Sequence, residues 1–167
     1  MVRMIDPGVP GTFWRFLVAD DAQIDRFLMR DEESILNICE RVAVDAWIES
    51  NRHFHVMRDF YTHSELVLAG LWGGVRGALP SMHNLIKEWL KGRKTVVYNQ
   101  TTIDQIFLRE KIWRIIQHSV LAHDSVFDFG DKVDFPSLGT LPPWKHVGQD
   151  DFIFFEKKKP ANAEPKK

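Results

Sequence analysis

The residues with the most evident chemical capacity are Arg30-Asp31-Glu32-Glu33-Ser34, an acidic cluster that follows the apolar run Ile24 to Met29. Asp31 and Glu33 lie two positions apart, so in an extended or turning backbone both carboxylates can reach one side. Oxygen ligands of this kind suit Mg²⁺ or Mn²⁺, which often take only one or two carboxylates plus substrate phosphates. A cation held there would neutralise a diphosphate as it departs. The plainer alternative is that three carboxylates ahead of a helix complement its positive end. His53 and His55 alternate along a candidate strand and share a face, but no third ligand stands nearby in sequence. Cys39 is the single cysteine, which excludes an intrachain disulfide and a multi-cysteine zinc cage; its spacing makes it a small core residue.

Elements must position these groups. Residues 1–11, rich in Pro and Gly, read as loop, and Phe13 to Val18 as a short helix or a strand. Ile24 to Met29 reads as a strand leading into the acidic cluster. Ser34 is then expected to cap a helix ending near Glu49, with Ile35, Ile38, Cys39, Val42, Ala46 and Trp47 at helical spacing. Phe54 to Met57 forms a short strand closing at Arg58 and Asp59, where an ion pair is expected, and Leu66 to Gly70 a buried strand. Leu71 to Gly77 is a glycine-rich turn. Pro80-Ser81 opens a second helix, with Leu85, Ile86, Trp89 and Leu90 on one face and Gly92 as terminator. Thr95 to Tyr98 is a short extended piece. A third helix runs from Thr102, in capping-box spacing with Gln105, to about His118, burying Ile103, Phe107, Ile112, Ile115 and Ile116. Val120 to His123 returns as a strand. This alternation predicts an α/β domain with a mixed sheet and flanking helices over residues 1–156, and a disordered basic tail over 157–167.

The 167 residues carry 44% hydrophobic and 27% charged side chains, a globular composition large enough for its own core. A net charge of −1 argues against a nucleic-acid footprint. No apolar run approaches the ~20 residues of a membrane span, and Met1 to Gly11 offers no signal-peptide core, so a cytoplasmic protein is expected, or a piece of a longer secretory one.

Several segments in order resemble a GT-A-type glycosyltransferase family, in which a strand ending in Arg-Asp-x-Asp-Ser carries the metal pair. They are RFLVADDAQIDRFLMRDEESIL (15–36), FHVMRD (54–59), AGLWGGVRGALP (69–80), DQIFL (104–108), LAHDSVFDFG (121–130), FP (135–136) and HVGQD (146–150). The resemblance spans roughly residues 13 to 150. It implies a partial GT-A fold in which Asp31 and Glu33 hold Mn²⁺ or Mg²⁺, framed by Arg30 and Ser34. It implies that Trp72, Gly73 and Gly74 floor a donor or acceptor pocket, that Asp104 and Gln105 face the sugar, and that His123 and Asp124 end a strand near the metal. Asp104 or Asp124 would be the base if the reaction inverts the anomeric centre. Each of these has a structural alternative: Trp72 as core, Asp104 as helix-start charge, His123 as a hydrogen-bonded histidine.

The departures from the pattern are Glu33 in place of the second Asp, Phe60 and Tyr61 after Asp59, and little sequence ahead of the matching part where a nucleotide-base half is expected. The expected activity is sugar transfer from a nucleotide-diphosphate donor to a hydroxyl acceptor. The rival is a non-catalytic carbohydrate- or partner-binding remnant, and a metal-dependent nuclease stands behind both for want of a basic track. Apolar surface left uncovered by a shortened sheet implies either a homodimer or cover by residues 144–156.

Overall fold

A computed structural model describes residues 8–32, 34–91, 93, 102–125, 132–134 and 147–148. Glu33, Gly92, residues 95–98, 126–130, 135–136, 146 and 149–167, on which expectations above rest, lie outside the described residues. So does the proposed cover by residues 144–156, apart from Val147 and Gly148.

The first element among the described residues is a 3-10 helix, Gly11–Asp20, which buries Phe13 and Phe16. Strand β1 follows (Arg26–Met29), then helix α1 (Ile38–Glu49), β2 (Phe54–Arg58), β3 (Trp72–Val75) and α2 (Met82–Lys91). The third helical segment runs through α3 (Ile103–Phe107), a π-helical stretch (Leu108–Ile112), α4 (Trp113–Ile116) and a 3-10 turn (Gln117–Ser119). It leads into β4 (Val120–Asp124), and β5 (Lys132–Val133) completes the sheet. The sheet is mixed, in the order β1-β3-β2-β4-β5. β3 runs antiparallel to both β1 and β2, while β4 is parallel to β2 and to β5. The α/β class expected from the alternating pattern is therefore what the chain adopts.

Helices cover both faces. On one, the 3-10 helix, α2 and the third helical segment bury Phe13, Phe16, Ile86, Trp89, Phe107, Leu108 and Ile112 against Phe27, Met29, Phe54, Val56 and Trp72 of the strands. Phe13, Phe16, Trp89 and Phe107 meet ring to ring at 5.4–6.3 Å, contacts worth about 0.5–1.5 kcal/mol each beyond area burial. On the other face, α1 lays Cys39 and Ala43 beside Met57, Leu71 and Val147, and Trp47 stacks on His55.

Four local expectations are corrected. Ser34 does not cap α1: its hydroxyl donates to the Gly148 carbonyl at 3.0 Å, and Asn37 caps instead, accepting from Glu40 N at 2.9 Å. The later start turns the buried stripe to Cys39, Ala43 and Trp47, leaving Ile35 and Ile38 exposed. Leu66 to Gly70 is not a strand. Its backbone groups go to side chains, Arg58 Nη1 donating to Leu66 O at 2.5 Å, and to a turn, Leu71 N donating to Leu68 O at 3.1 Å.

The glycine-rich Leu71 to Gly77 is mostly strand β3, and the turn lies at Arg76 and Gly77, the latter at φ +75°. A Cβ on Gly73 would meet Phe27 O at 2.5 Å, and one on Gly74 the Phe27 ring at 2.7 Å, so here glycine lets strands and rings pack closely. Thr102 forms no capping hydrogen bond. The opening of α2 at Ser81 is as expected, with a partner the sequence did not announce: Asp20 accepts from Met82 N at 2.7 Å and His83 N at 2.9 Å.

Candidate functional site

β1, β2 and β4 point the same way, so their carboxyl ends share one edge of the sheet with the entry to β3. In open α/β sheets ligands bind outside the carboxyl ends of the strands. Asp31 leaves β1 at this edge. Its carboxylate pairs with the guanidinium of Arg15, which projects from the 3-10 helix; the two side chains are 45% and 36% exposed. Gly70, just before β3, backs the carboxylate: a Cβ there would come within 2.7 Å of the Asp31 carboxyl carbon. Any larger residue would push Asp31 from its place.

Asp104 lies on the first turn of α3. It is buried, and its Oδ1 accepts from Gln105 N at 2.9 Å. Burial raises the Asp104 pKa, and the nearby charge of Asp31 acts in the same direction; the Gln105 amide and Arg15 oppose it. Gln105 does not face a ligand. With its amide turned to satisfy both neighbours it donates to Val67 O at 2.9 Å and accepts from Ala69 N at 3.0 Å. It therefore pins the loop that presents Gly70.

The other expected residues are placed elsewhere. Arg30 forms an ion pair with Glu40 of α1, which is 2% exposed, and Nη2 lies 3.4 Å from Ser34 O. Ser34 ties Gly148 to the start of the loop before α1. Trp72 does not floor an open pocket: it is fully buried against Phe16 and Phe27. Gly73 and Gly74 serve sheet packing. His123 lies on the α1 face, its Nδ1 2.8 Å from His55 Nε2, whereas Arg15 and Asp104 come from the helices of the opposite face.

Burial lowers the pKa of both histidines, to about 3 for His55, where His123 adds to the effect, and to about 4 for His123. The pair is neutral, one ring donating and the other accepting. His53 is separated from it, its Nδ1 3.3 Å from Ser119 Oγ, so the two alternating histidines do not form a metal site.

Asp124 is unsuited to act as a base. It is fully buried, with Arg58 Nε donating to its Oδ2 at 2.7 Å. This also corrects the pairing expected for Arg58: its partner is Asp124 across the sheet, while Asp59 accepts from Val147 N at 2.7 Å.

Sequence reasoning missed Arg15 and Gly70. Arg15 is a single charge among Phe13, Trp14 and Phe16, and its only signal was that interruption of an apolar run. Among the described residues no three His, Cys, Asp or Glu side chains gather into a metal-binding group. An open groove of about 380 Å³ between α2 and the π-helical stretch is lined by Glu88, Trp89, Arg93, Glu110, Lys111 and Arg114, none of them an expected site residue. Its Arg93 and Trp89 both bond to Glu110. Among the described residues no helix is long and apolar enough to cross a membrane.

Compared with known proteins, the chain matches no family model, no curated protein and no solved structure.

Proposed function

We propose that this chain is a metal-dependent glycosyltransferase domain on a partial GT-A scaffold, moving a sugar from a nucleotide-diphosphate donor to a hydroxyl acceptor. One observation carries the reading: Asp31 leaves β1 at the carboxyl edge of the sheet, where Gly70 makes room for its carboxylate. The order of segments resembling that family supports it. Carboxylate oxygens are ligands of the kind that Mn²⁺ or Mg²⁺ takes together with substrate phosphates. Asp31 would hold the cation, with Glu33 the further ligand expected from sequence. The cation would supply neutralisation of the donor diphosphate. In this reading Asp31 anchors, Gln105 fixes the loop around the anchor, and Asp104 rather than Asp124 is the candidate base.

Calorimetric titration of the chain with MnCl₂ and UDP or GDP tests it. Metal-dependent nucleotide binding that Asp31→Ala abolishes is the expected result. A folded protein that binds neither diphosphate in the presence of Mn²⁺ removes the proposal.

The ion pair between Arg15 and Asp31 favours a second reading, a non-catalytic carbohydrate- or partner-binding domain in which the guanidinium has taken over the neutralising role. Carbohydrate binding with no release of nucleoside diphosphate from a nucleotide sugar would distinguish it.

A further inference from the structure

Strand β1 is an edge of the sheet, and one side of its backbone is open to a further strand. Asp25 O accepts from Arg76 N at 2.9 Å, and antiparallel pairing alternates, so Phe27 and Met29 turn their backbone groups to β3. Those of Arg26 and Leu28 turn outward, and no described residue pairs with them. The side chains of Arg26 and Leu28 are exposed on the α1 face, beside Trp47, while Phe27 and Met29 are buried. Asp25 is 93% exposed, with Arg76 3.9 Å away. An open edge with an apolar side chain beside it is a template for strand addition.

One segment of the chain matches this edge. Phe152-Ile153-Phe154-Phe155 is an unbroken run of strand-favouring residues, followed by Glu156 and Lys157. Its approach is set by the residues just before it. Val147 is fully buried beside Leu71 under α1, and its N–H donates to Asp59 at 2.7 Å. The Gly148 carbonyl accepts from Ser34, and a Cβ on Gly148 would meet Leu71 at 2.9 Å. Leu71 precedes Trp72, the partner of Met29, so Gly148 stands at the carboxyl end of β1. From there the outer edge is two strand spacings away, about 10 Å. The four residue steps from Gly148 to Phe152 span up to about 14 Å.

We infer that the outer edge of β1 is a docking site for the chain's own residues 152–157, which add to it as an antiparallel strand. With Glu156 opposite Arg26, hydrogen bonds are exchanged at Arg26 and Leu28, the groups left open. Phe154 then meets Leu28 on the α1 face, and Lys157 meets Asp25 on the other, so both charges face opposite charges. A shift of one residue sets Glu156 against Asp25 or Lys157 against Arg26, like charges in either case. The short tether gives the segment an effective concentration in the millimolar range, which favours it over a second copy. The site is independent of the proposed cation chemistry.

Hydrogen exchange of the full chain, read residue by residue by NMR, tests this. In a chain that is monomeric by light scattering, the Arg26 and Leu28 amides are protected. Phe154→Asp abolishes that protection while the amides of β2 and β4 keep theirs. Arg26→Glu and Glu156→Arg each lower the Leu28 protection by up to about fivefold, the scale of one cross-strand ion pair, and the two together restore it. Unprotected Arg26 and Leu28 amides in the wild type overturn the docking. So does protection that survives Phe154→Asp, which assigns the edge to another occupant, or protection that rises with protein concentration, which assigns it to a second copy. Charge reversals that do not restore each other overturn the register, and they decide alone should Phe154→Asp fail to fold.

Discussion

Two carboxylate–guanidinium pairs stand at the same edge of one sheet, and they are opposites. Arg58–Asp124 bridges two parallel strands with neither side chain exposed, next to a neutral histidine pair sealed beneath α1. Arg15–Asp31 joins a helix to a strand end with both partners about 40% open to solvent. The sealed pair cannot separate without leaving a charge in a low-dielectric interior, so its role is to lock β2 to β4. The open pair loses little on separation, so its partners are free to meet a ligand. Residue type alone would rank Asp31, Asp104 and Asp124 alike; burial and partner divide them.

The largest expected effect separates the pairs by stability. Asp124→Ala leaves Arg58 buried without its carboxylate and should cost about 3–5 kcal/mol, seen as a lowered urea midpoint at unchanged slope. A cost under 1 kcal/mol would show that water reaches this pair and would erase the contrast.

The histidine pair gives the next effect. Both pKa values are depressed in the folded state, to about 3 for His55 and about 4 for His123, so below the unfolded value near 6.5 the unfolded chain binds more protons. Stability should be full above about pH 6.5 and decline as the pH falls toward 4 and then 3. His55→Leu with His123→Leu should flatten that decline in a series of urea titrations, and an unchanged slope would refute the assignment.

The smallest effect belongs to the open pair. Asp31→Asn should change stability by less than about 1 kcal/mol while removing Mn²⁺-dependent diphosphate binding. A large loss of stability there would make Asp31 structural and bring the two regions together.

Much of the scaffold was legible because it follows from local pattern. Leu85, Ile86, Trp89 and Leu90 recur at helical spacing, and α2 forms where the periodicity placed it, burying Ile86 and Trp89 together with Met82. The strands ending at Met29, Arg58 and Asp124 were close to their expected positions because β-branched and aromatic runs are bounded there by charge. The errors share a cause. Leu66 to Gly70 has strand composition, yet its polar backbone groups are engaged by Arg58 and Gln105 from elsewhere in the chain. Gly73 and Gly74 look like a turn, yet neighbouring strands and rings need the space a side chain would fill. Of the site, Asp31 and Asp104 were legible as acidic residues at element boundaries. Arg15, Gly70 and the seclusion of His123 and Asp124 were not, because each depends on a partner at least 15 positions away.

By itself the sequence determined where α1, α2 and the third helical segment form and where β1, β2 and β4 run, since hydrophobic periodicity acts over a few residues. It also determined that carboxylates would stand where strand β1 ends. Tertiary structure alone decided which carboxylate is sealed and which stays open, because the cost of burying a charge depends on what the fold sets around it.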